Sequence, residues 1–296
     1  GTLFPYTTLF RSDLWELYQP LDGGSRIAMT TPHPAPTTAV LSSAQPAEPG
    51  TLINGPVLSE FSVAHPLGQG QFQTTIRLSA GLPRIDIRTT IRNEDGRVRY
   101  RVLFPTTIAD GRNMQEIPFG AMERPAGIEF PAQNWVDWGN ETRGVTLVNR
   151  GLPGNNTADG TLMLSLLRGA SIVAYGYIGG YEPGAGSESG LELGKTHTFQ
   201  YALAPHAGNW RQTAPWRQGL AVNCPLIART AAPQAGALPP RWGVLTLEPA
   251  TVVLSALKMS EDGTRVILRV YETTGEPVEV TLAIRGGNAA EEVNLL

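Results

Sequence analysis

The residues most suited to chemistry lie between positions 116 and 154, where carboxylates, tryptophans and an arginine are set among β-type runs. Paired carboxylates can cleave a glycosidic bond, and an indole face can stack on a sugar ring. The same residues also suit a long connection in a β-protein whose tryptophans pack in its core. The candidates are Glu116, Glu123, Glu129, Asp137, Trp135, Trp138 and Arg124.

The composition excludes several functional classes. The chain of 296 residues has a formal net charge of −3, so it has no general attraction for nucleic acid. No apolar run approaches the roughly 18 to 20 residues of a membrane span. The only cysteine, Cys224, cannot form an intrachain disulfide, which suits a reducing compartment and predicts a bacterial cytoplasmic location.

Two neighbouring runs, 84–92 and 97–104, alternate between apolar and charged residues, as half-buried strands do. Because the turn-forming residues 93–96 separate them, we predict one antiparallel hairpin. The face opposite its apolar side is predicted to be a solvated surface or a docking surface for an acidic partner domain. That face would carry Arg84, Arg88, Arg92, Arg97, Arg99 and Arg101.

Short strands separated by Gly, Pro and Asn loops continue along the chain and predict an all-β fold. We expect a large antiparallel β-sandwich followed by a small C-terminal β-sandwich, with one short helix at 214–222. The further predicted strands are 144–149, 161–168, 172–177, 196–203, 242–247, 251–258, 265–272 and 278–284.

The domain organisation follows from composition shifts. Residues 1–12 resemble a translated sequencing adaptor and are set aside as an artefact. Residues 13–228 are predicted to form the large sandwich, and the Pro-, Ala- and Gly-rich residues 229–240 are predicted to be a linker. Residues 241–296 then form the small sandwich.

Eight pieces in order resemble the C-terminal β-rich region of glycoside hydrolase family 38, the α-mannosidases. They are IPFG, ERP, PAQNW.D, GVTLVNRGLPG, LSLLRG, YALAPHAGNW, NCPL and LSALKMSEDGTRVILRVYE, and the match runs from about Asp13 to the end. The resemblance implies a galactose-mutarotase-like super-sandwich. It also implies that the intact enzyme is a retaining, zinc-dependent glycosidase and forms a homo-oligomer.

In that family the nucleophilic Asp and the zinc ligands belong to an upstream α/β-barrel domain, so no catalytic residue is assigned in this chain. An arginine near the end of one family strand reaches toward the sugar, and the corresponding residue here is Arg168. The predicted substrate-binding residues are Arg168, Trp135 and Trp138. The predicted partners are the upstream barrel and an α-mannoside.

The histidines do not predict a metal site in this chain, because none has a partner at ligand spacing. They are His33, His65, His197 and His206, and the last is interpreted as a satisfied loop histidine. Glu123 and Asp137 are interpreted as partners of Arg124 and of nearby backbone amides.

Two functions are compatible with the sequence. The first is a non-catalytic portion of an α-mannosidase-like enzyme that braces the barrel and completes the substrate cleft. Within this hypothesis, the intact enzyme could instead be a mannosylglycerate hydrolase. The second is a free-standing carbohydrate-binding β-sandwich, in which Trp135 and Trp138 form a sugar platform.

Overall fold

The structure is a computed structural model that describes residues 39–169, 188–233, 235–237, 239–287 and 289–293, together with the backbone of 4–9, 17–18 and 26–27. The strand predicted at 172–177 and the candidate ligand His33 lie outside these residues. The chain divides into two compact units, of which the first is 1–117 with 122–225 and the second is 118–121 with 226–296. The division falls just before the predicted linker.

The described residues form mostly strands, which confirms the all-β class. The strands are β1 (Phe4–Leu9), β2 (Leu17–Tyr18), β3 (Arg26–Ile27), β4 (Ala39–Leu41), β5 (Glu48–Asn54), β6 (Leu58–Leu67), β7 (Gly70–Ser79), β8 (Ile85–Arg92), β9 (Val98–Pro105), β10 (Arg112–Ile117), β11 (Gly120–Glu123), β12 (Phe130–Pro131), β13 (Trp135–Gly139), β14 (Arg143–Asn149), β15 (Gly154–Ala158), β16 (Thr161–Gly169), β17 (Thr196–Ala207), β18 (Leu245–Glu248), β19 (Val252–Met259), β20 (Val266–Glu272) and β21 (Thr281–Ile284).

Two antiparallel sheets form the first unit. Within the described residues, sheet A has the order β12-β15-β16-β9-β1-β4 and sheet B has the order β11-β10-β13-β14-β17-β8-β7-β6-β5. Strand β1 lies within residues 1–12, which resemble an adaptor, and it pairs with β9 and β4. The core between the sheets is apolar because each strand turns alternate residues inward. Its buried members include Tyr100, Val102, Val136, Leu147 and Leu164.

The predicted hairpin is wrong. Strand β8 pairs with β7 and β17 in sheet B, whereas β9 pairs with β1 and β16 in sheet A. The connection between them crosses from one sheet to the other. Asn93 holds it in place, since its side chain donates to the Leu191 carbonyl at 2.8 Å and accepts from the Tyr100 hydroxyl at 2.9 Å.

Because β8 and β9 belong to different sheets, the arginines predicted to share one face are separated as well. Arg88 and Arg92 are exposed on the outer side of sheet B. Arg99 and Arg101 are on the outer side of sheet A, and each is only about 5% exposed. The prediction of one solvated cationic surface is therefore corrected, because the two strands belong to different sheets.

The short helical segment is confirmed and slightly extended. Helix α1 (Trp210–Thr213) precedes α2 (Pro215–Asn223). Asn209 caps α1, because its side chain accepts from the Gln212 amide and its own amide donates to the Gln212 side chain. Pro215 starts α2, a position where the missing N–H costs nothing. No helix in the described part of the chain is long and apolar enough to cross a membrane.

In its described residues, the second unit contains two strand pairs, β18 with β21 and β19 with β20. Val252 and Val253 are buried there. Phe119 also belongs to this unit. Its ring meets Tyr271 edge to face at 5.7 Å between centroids and lies under the guanidinium of Arg269.

Candidate functional site

The outer side of sheet A carries a buried arginine–carboxylate cluster, which is the strongest candidate site. Arg99 forms an ion pair with Glu129, and the side chains are 5% and 7% exposed. The Arg99 guanidinium also donates to the Ser165 hydroxyl, at 2.6 Å from Nη2 and 3.2 Å from Nε. The Ser165 hydroxyl is within 3.2 Å of a Glu129 carboxylate oxygen. A charge removed from water in this way needs a close partner, which these contacts supply.

A β-bulge in β16 brings Arg168 to the same face. Ser165 is paired with Arg101, but after the bulge Leu167 is paired with Tyr100 and Arg168 with Arg99. An uninterrupted ladder would have placed Arg168 opposite Val98, whose side chain points into the core. The extra residue therefore moves Arg168 from the core face to the outer face beside Arg99.

Three arginines lie on this face. Within the described residues, Arg99, Arg101 and Arg168 share it with Glu129, and Arg168 is half-buried. Guanidinium groups of this kind recognise carboxylates or the hydroxyls of a sugar through paired N–H donors. Of the three residues predicted to bind substrate, the structure brings only Arg168 to this cluster.

Trp135 and Trp138 lie in the interior instead. Trp135 is 1% exposed and stacks on Trp210 with 6.0 Å between ring centroids. Trp138 is 6% exposed, and its indole N–H donates to the Ile108 carbonyl at 2.9 Å. Stacking on a pyranose needs an open ring face, so their burial corrects the sugar-platform hypothesis in favour of packing.

The remaining carboxylates do not converge on one site. Glu123 pairs with Arg112 at 2.7 Å on the surface, whereas Arg124 lies over the Phe130 ring, so their predicted pairing is wrong. The Glu116 carboxylate is buried and accepts from the Asn134 amide at 2.6 Å. Burial raises the pKa of Glu116, and the Asn134 amide only partly offsets this.

Asp137 forms a second buried polar group, on the outer side of sheet B. One of its carboxylate oxygens accepts from the Thr146 hydroxyl at 2.7 Å and contacts His206 Nε2 at 2.8 Å. The pairing predicted with Arg124 is therefore wrong here too. The ring of His206 lies over Gly144, its cross-strand partner, where a Cβ atom would approach the ring to 2.4 Å. Glycine at 144 thus makes room for the pair.

Both ring nitrogens of His206 face acceptors, since Nδ1 is 3.1 Å from the Gly208 carbonyl. A ring with two such partners is fully satisfied only when both nitrogens carry protons. Burial lowers the pKa of His206, but the hydrogen bond and negative charge of Asp137 outweigh it and raise the pKa above 6.5. The residue is thus satisfied, as the sequence predicted, although it is in β17 and not in a loop.

We expect stability to depend on this pair. Because the folded-state pKa of His206 is raised, its contribution is complete below about pH 6.5 and is lost as the pH rises through the folded-state pKa. Urea midpoints measured across neutral and mildly alkaline pH should therefore fall for the native chain. The His206→Gln variant should lose that slope, and an equal slope in both proteins would contradict the assignment.

The described residues do not fit a zinc site. They contain no group of three His, Cys, Asp or Glu side chains able to hold a metal ion. Among the residues with described structure, two histidines pair with carboxylates, His206 with Asp137 and His197 with Glu192. Each pair supplies two candidate ligands, fewer than the three or four that zinc takes from a protein.

Sequence reasoning missed the Arg99–Glu129–Ser165 contacts. The available signals were a carboxylate between two apolar residues, Ile128-Glu129-Phe130, and a lone serine in an otherwise apolar alternation. Neither signal identifies its partner, because the three residues come from three separate segments.

Two family models match the chain. The glycosyl hydrolases family 38 C-terminal domain matches residues 34–172. The glycosyl hydrolases family 38 C-terminal beta sandwich domain matches residues 251–296. Together they cover more than half of the chain, in the order that the sequence resemblance implied.

The curated relatives that match the chain are named as alpha-mannosidases. Human alpha-mannosidase 2C1 is 27% identical over 217 residues, which is 69% of this chain and 19% of that protein. Alpha-mannosidase G of Dictyostelium discoideum is 26% identical over 237 residues, which is 75% of this chain and 20% of that protein. The chain thus spans about a fifth of the length of these relatives.

Solved structures share the fold. A glycosyl hydrolase family 38 protein from Enterococcus faecalis superimposes with a TM-score of 0.78 at 19% identity, covering 97% of this chain and 36% of that one. An alpha-mannosidase from Enterococcus faecalis V583 gives a TM-score of 0.77 at 19% identity, covering 95% and 34%.

The antiparallel sandwich and the matching models place this chain among the all-β regions of glycoside hydrolases. The chain belongs to glycoside hydrolase family 38 and corresponds to the C-terminal region of that family.

Proposed function

We propose that this chain is the non-catalytic β-sandwich part of a retaining, zinc-dependent α-mannosidase. In the intact enzyme it braces the catalytic barrel, and its outer sheet A surface completes the substrate cleft. The observation that carries the proposal is the bulge that moves Arg168 from the core face of β16 to the arginine cluster. The names of the curated relatives supply the substrate class.

In this proposal the residues of the chain bind and orient the substrate. Arg168 donates N–H groups to vicinal hydroxyls or to a carboxylate of the substrate, and Arg99 is the neighbouring cation that Glu129 and Ser165 hold in position. The nucleophile, the acid/base and the zinc belong to the barrel. Since the described residues do not fit zinc, no step is assigned to a metal in this chain.

The first test uses the isolated chain. We expect no hydrolysis of a nitrophenyl α-mannoside with or without added zinc, because cleavage needs two carboxylates about 5 to 5.5 Å apart across the scissile bond. Mixed with a separately expressed barrel region of a family relative, the chain should raise that region's activity. Zinc-dependent turnover by the chain alone would overturn the non-catalytic assignment.

A titration with mannose and mannose oligosaccharides distinguishes the free-standing binding module. In our proposal half of the sugar site is supplied by the barrel, so the isolated chain should bind these sugars weakly at most. Tight binding by the chain alone would favour the binding-module hypothesis.

We expect Arg168→Ala, made in the assembled enzyme, to lower kcat/KM about 10- to 100-fold, as for the loss of a hydrogen bond from a charged donor. Arg168→Lys should recover only part of this, because an ammonium lacks the planar fork. The matched control is Arg112→Ala, which removes an exposed arginine paired with Glu123. Equal kinetics for Arg168→Ala and the control would make Arg168 a surface residue.

The further assignments are a bacterial cytoplasmic location and a homo-oligomeric intact enzyme. The location is supported by the single, free and exposed thiol of Cys224, which suits a reducing compartment. Fractionation of cells that express the intact protein, followed by sedimentation, tests both assignments.

A further inference from the structure

The outer side of sheet B carries a groove with charged side chains along its floor, and the proposed function does not use it. Its volume is about 260 Å³, and the end of α2 forms one wall. One row of its floor consists of the cross-strand neighbours Glu60, Arg77 and Asp86. Arg77 donates twice to Glu60, at 2.6 and 2.8 Å, and Arg84 donates to Asp86 at 2.8 Å. Both carboxylates of the groove are therefore already engaged by arginine.

The next row contains Thr75, Arg88 and Gln200, which are also cross-strand neighbours. Arg150 donates to the Gln200 Oε1 atom at 2.7 Å, so the NH₂ group of Gln200 remains available as a donor. Arg88 is exposed, and its side chain has no hydrogen bond or ion pair with any residue that the structure describes. Two guanidinium groups thus lie on either side of Gln200, and none of the described residues places a carboxylate between them.

In the described lining of the groove, four arginines and two carboxylates give a net charge of +2. The arrangement on the Gln200 row consists of donors: the Arg88 and Arg150 guanidinium groups, the Gln200 NH₂ group and the Thr75 hydroxyl. An oxyanion accepts from several such donors at once, and arginine binds it through two parallel bonds.

We propose that this groove is a binding site for an oxyanion group, with Arg88 and Arg150 as the cations that hold it. The ligand class is a small metabolite or sugar that carries a phosphate or a carboxylate. The site is on the outer side of sheet B, whereas the arginine–carboxylate cluster with Arg168 is on the outer side of sheet A. The two sites can therefore be tested independently.

The experiment is a calorimetric titration of the whole chain at low ionic strength, where exposed charges are little screened. The probes are inorganic phosphate, glucose 6-phosphate and glucuronate, with uncharged glucose as the negative control. We expect at least one anionic probe to bind, and Arg88→Gln and Arg150→Gln each to weaken that binding about 10-fold or more. The matched control is Arg92→Gln, which removes an exposed arginine of the same strand that is paired with Glu94 outside the groove.

The proposal stands if the control changes the affinity less than about 2-fold while both groove variants lose it, with circular dichroism showing that all the variants fold. The more tightly bound probe then identifies a phosphate or a carboxylate as the natural group. Absence of binding by every anion overturns the proposal. Unchanged binding in Arg88→Gln, or equal weakening in Arg92→Gln, overturns it as well, because the binding would then reflect general surface charge.

Discussion

Replacing Arg99 by methionine is expected to lower the free energy of unfolding by about 3 to 5 kcal/mol, because it removes the guanidinium that neutralises the buried Glu129 carboxylate. The Ser165 hydroxyl would also lose its two donors from Arg99. Space for the carboxylate is already tight, since a Cβ atom at Gly154 would lie 2.6 Å from Glu129 Oε1. Because Glu129 has little room to move away, its charge would stay buried without this partner. The expected loss of stability is therefore electrostatic.

The double variant Arg99→Met with Glu129→Leu provides the internal comparison. Removing both charges leaves neither member of this pair buried without its partner, so most of the stability should return. The surface control is Arg112→Met, whose partner Glu123 is 50% exposed, and it should cost less than about 1 kcal/mol. Urea unfolding measures all three variants. If Arg99→Met cost no more than Arg112→Met, the cluster would not be a buried charge centre.

We expect Trp135→Ala to cost about 3 to 5 kcal/mol, since it opens a cavity where a fully buried indole had packed. The loss includes the stack on Trp210, the contact with Gly219 and the cover that α2 provides over β13. Trp242→Ala is the matched control, because Trp242 is 51% exposed and should change the stability by less than about 0.5 kcal/mol.

The same pair of variants separates packing from sugar binding. In the packing interpretation, Trp135→Ala loses stability in the absence of any sugar, and added mannose does not protect the native chain. Thermal unfolding with and without mannose gives both readouts. A Trp135→Ala protein as stable as the native chain, with weakened sugar binding, would restore the sugar-platform hypothesis.

Much of the fold can be predicted from the sequence because the alternation of apolar residues directly reports the buried face of a strand. Strands β14, β16, β17 and β20 appear close to their predicted positions, as does the short helix after Asn209. The family resemblance, carried by motifs such as GVTLVNRGLPG, is confirmed by the matching models.

Alternation could not predict which strands pair. A hairpin and a connection between two sheets both turn Ile87 and Tyr100 toward the same core, so the pattern of β8 and β9 is identical in the two cases. What separates them is the set of hydrogen bonds that Asn93 makes to Leu191 and Tyr100, and Leu191 is distant in sequence. This is why arginines predicted on one face are found on both sides of the sandwich, with Arg88 and Arg92 on sheet B and Arg99 and Arg101 on sheet A.

In the candidate site too, some features can be predicted from local sequence and others depend on which strands pair. The period-2 alternation predicts the all-β class because alternation is a local property, whereas family 38 and the choice of Arg168 come from the motifs of the family resemblance. The burial of Trp135, the ion pair of Glu129 with Arg99 and the bulge that turns Arg168 outward appear only in the folded chain. These outcomes depend on the register between distant strands, and a shift of one residue in register exchanges the core face with the outer face.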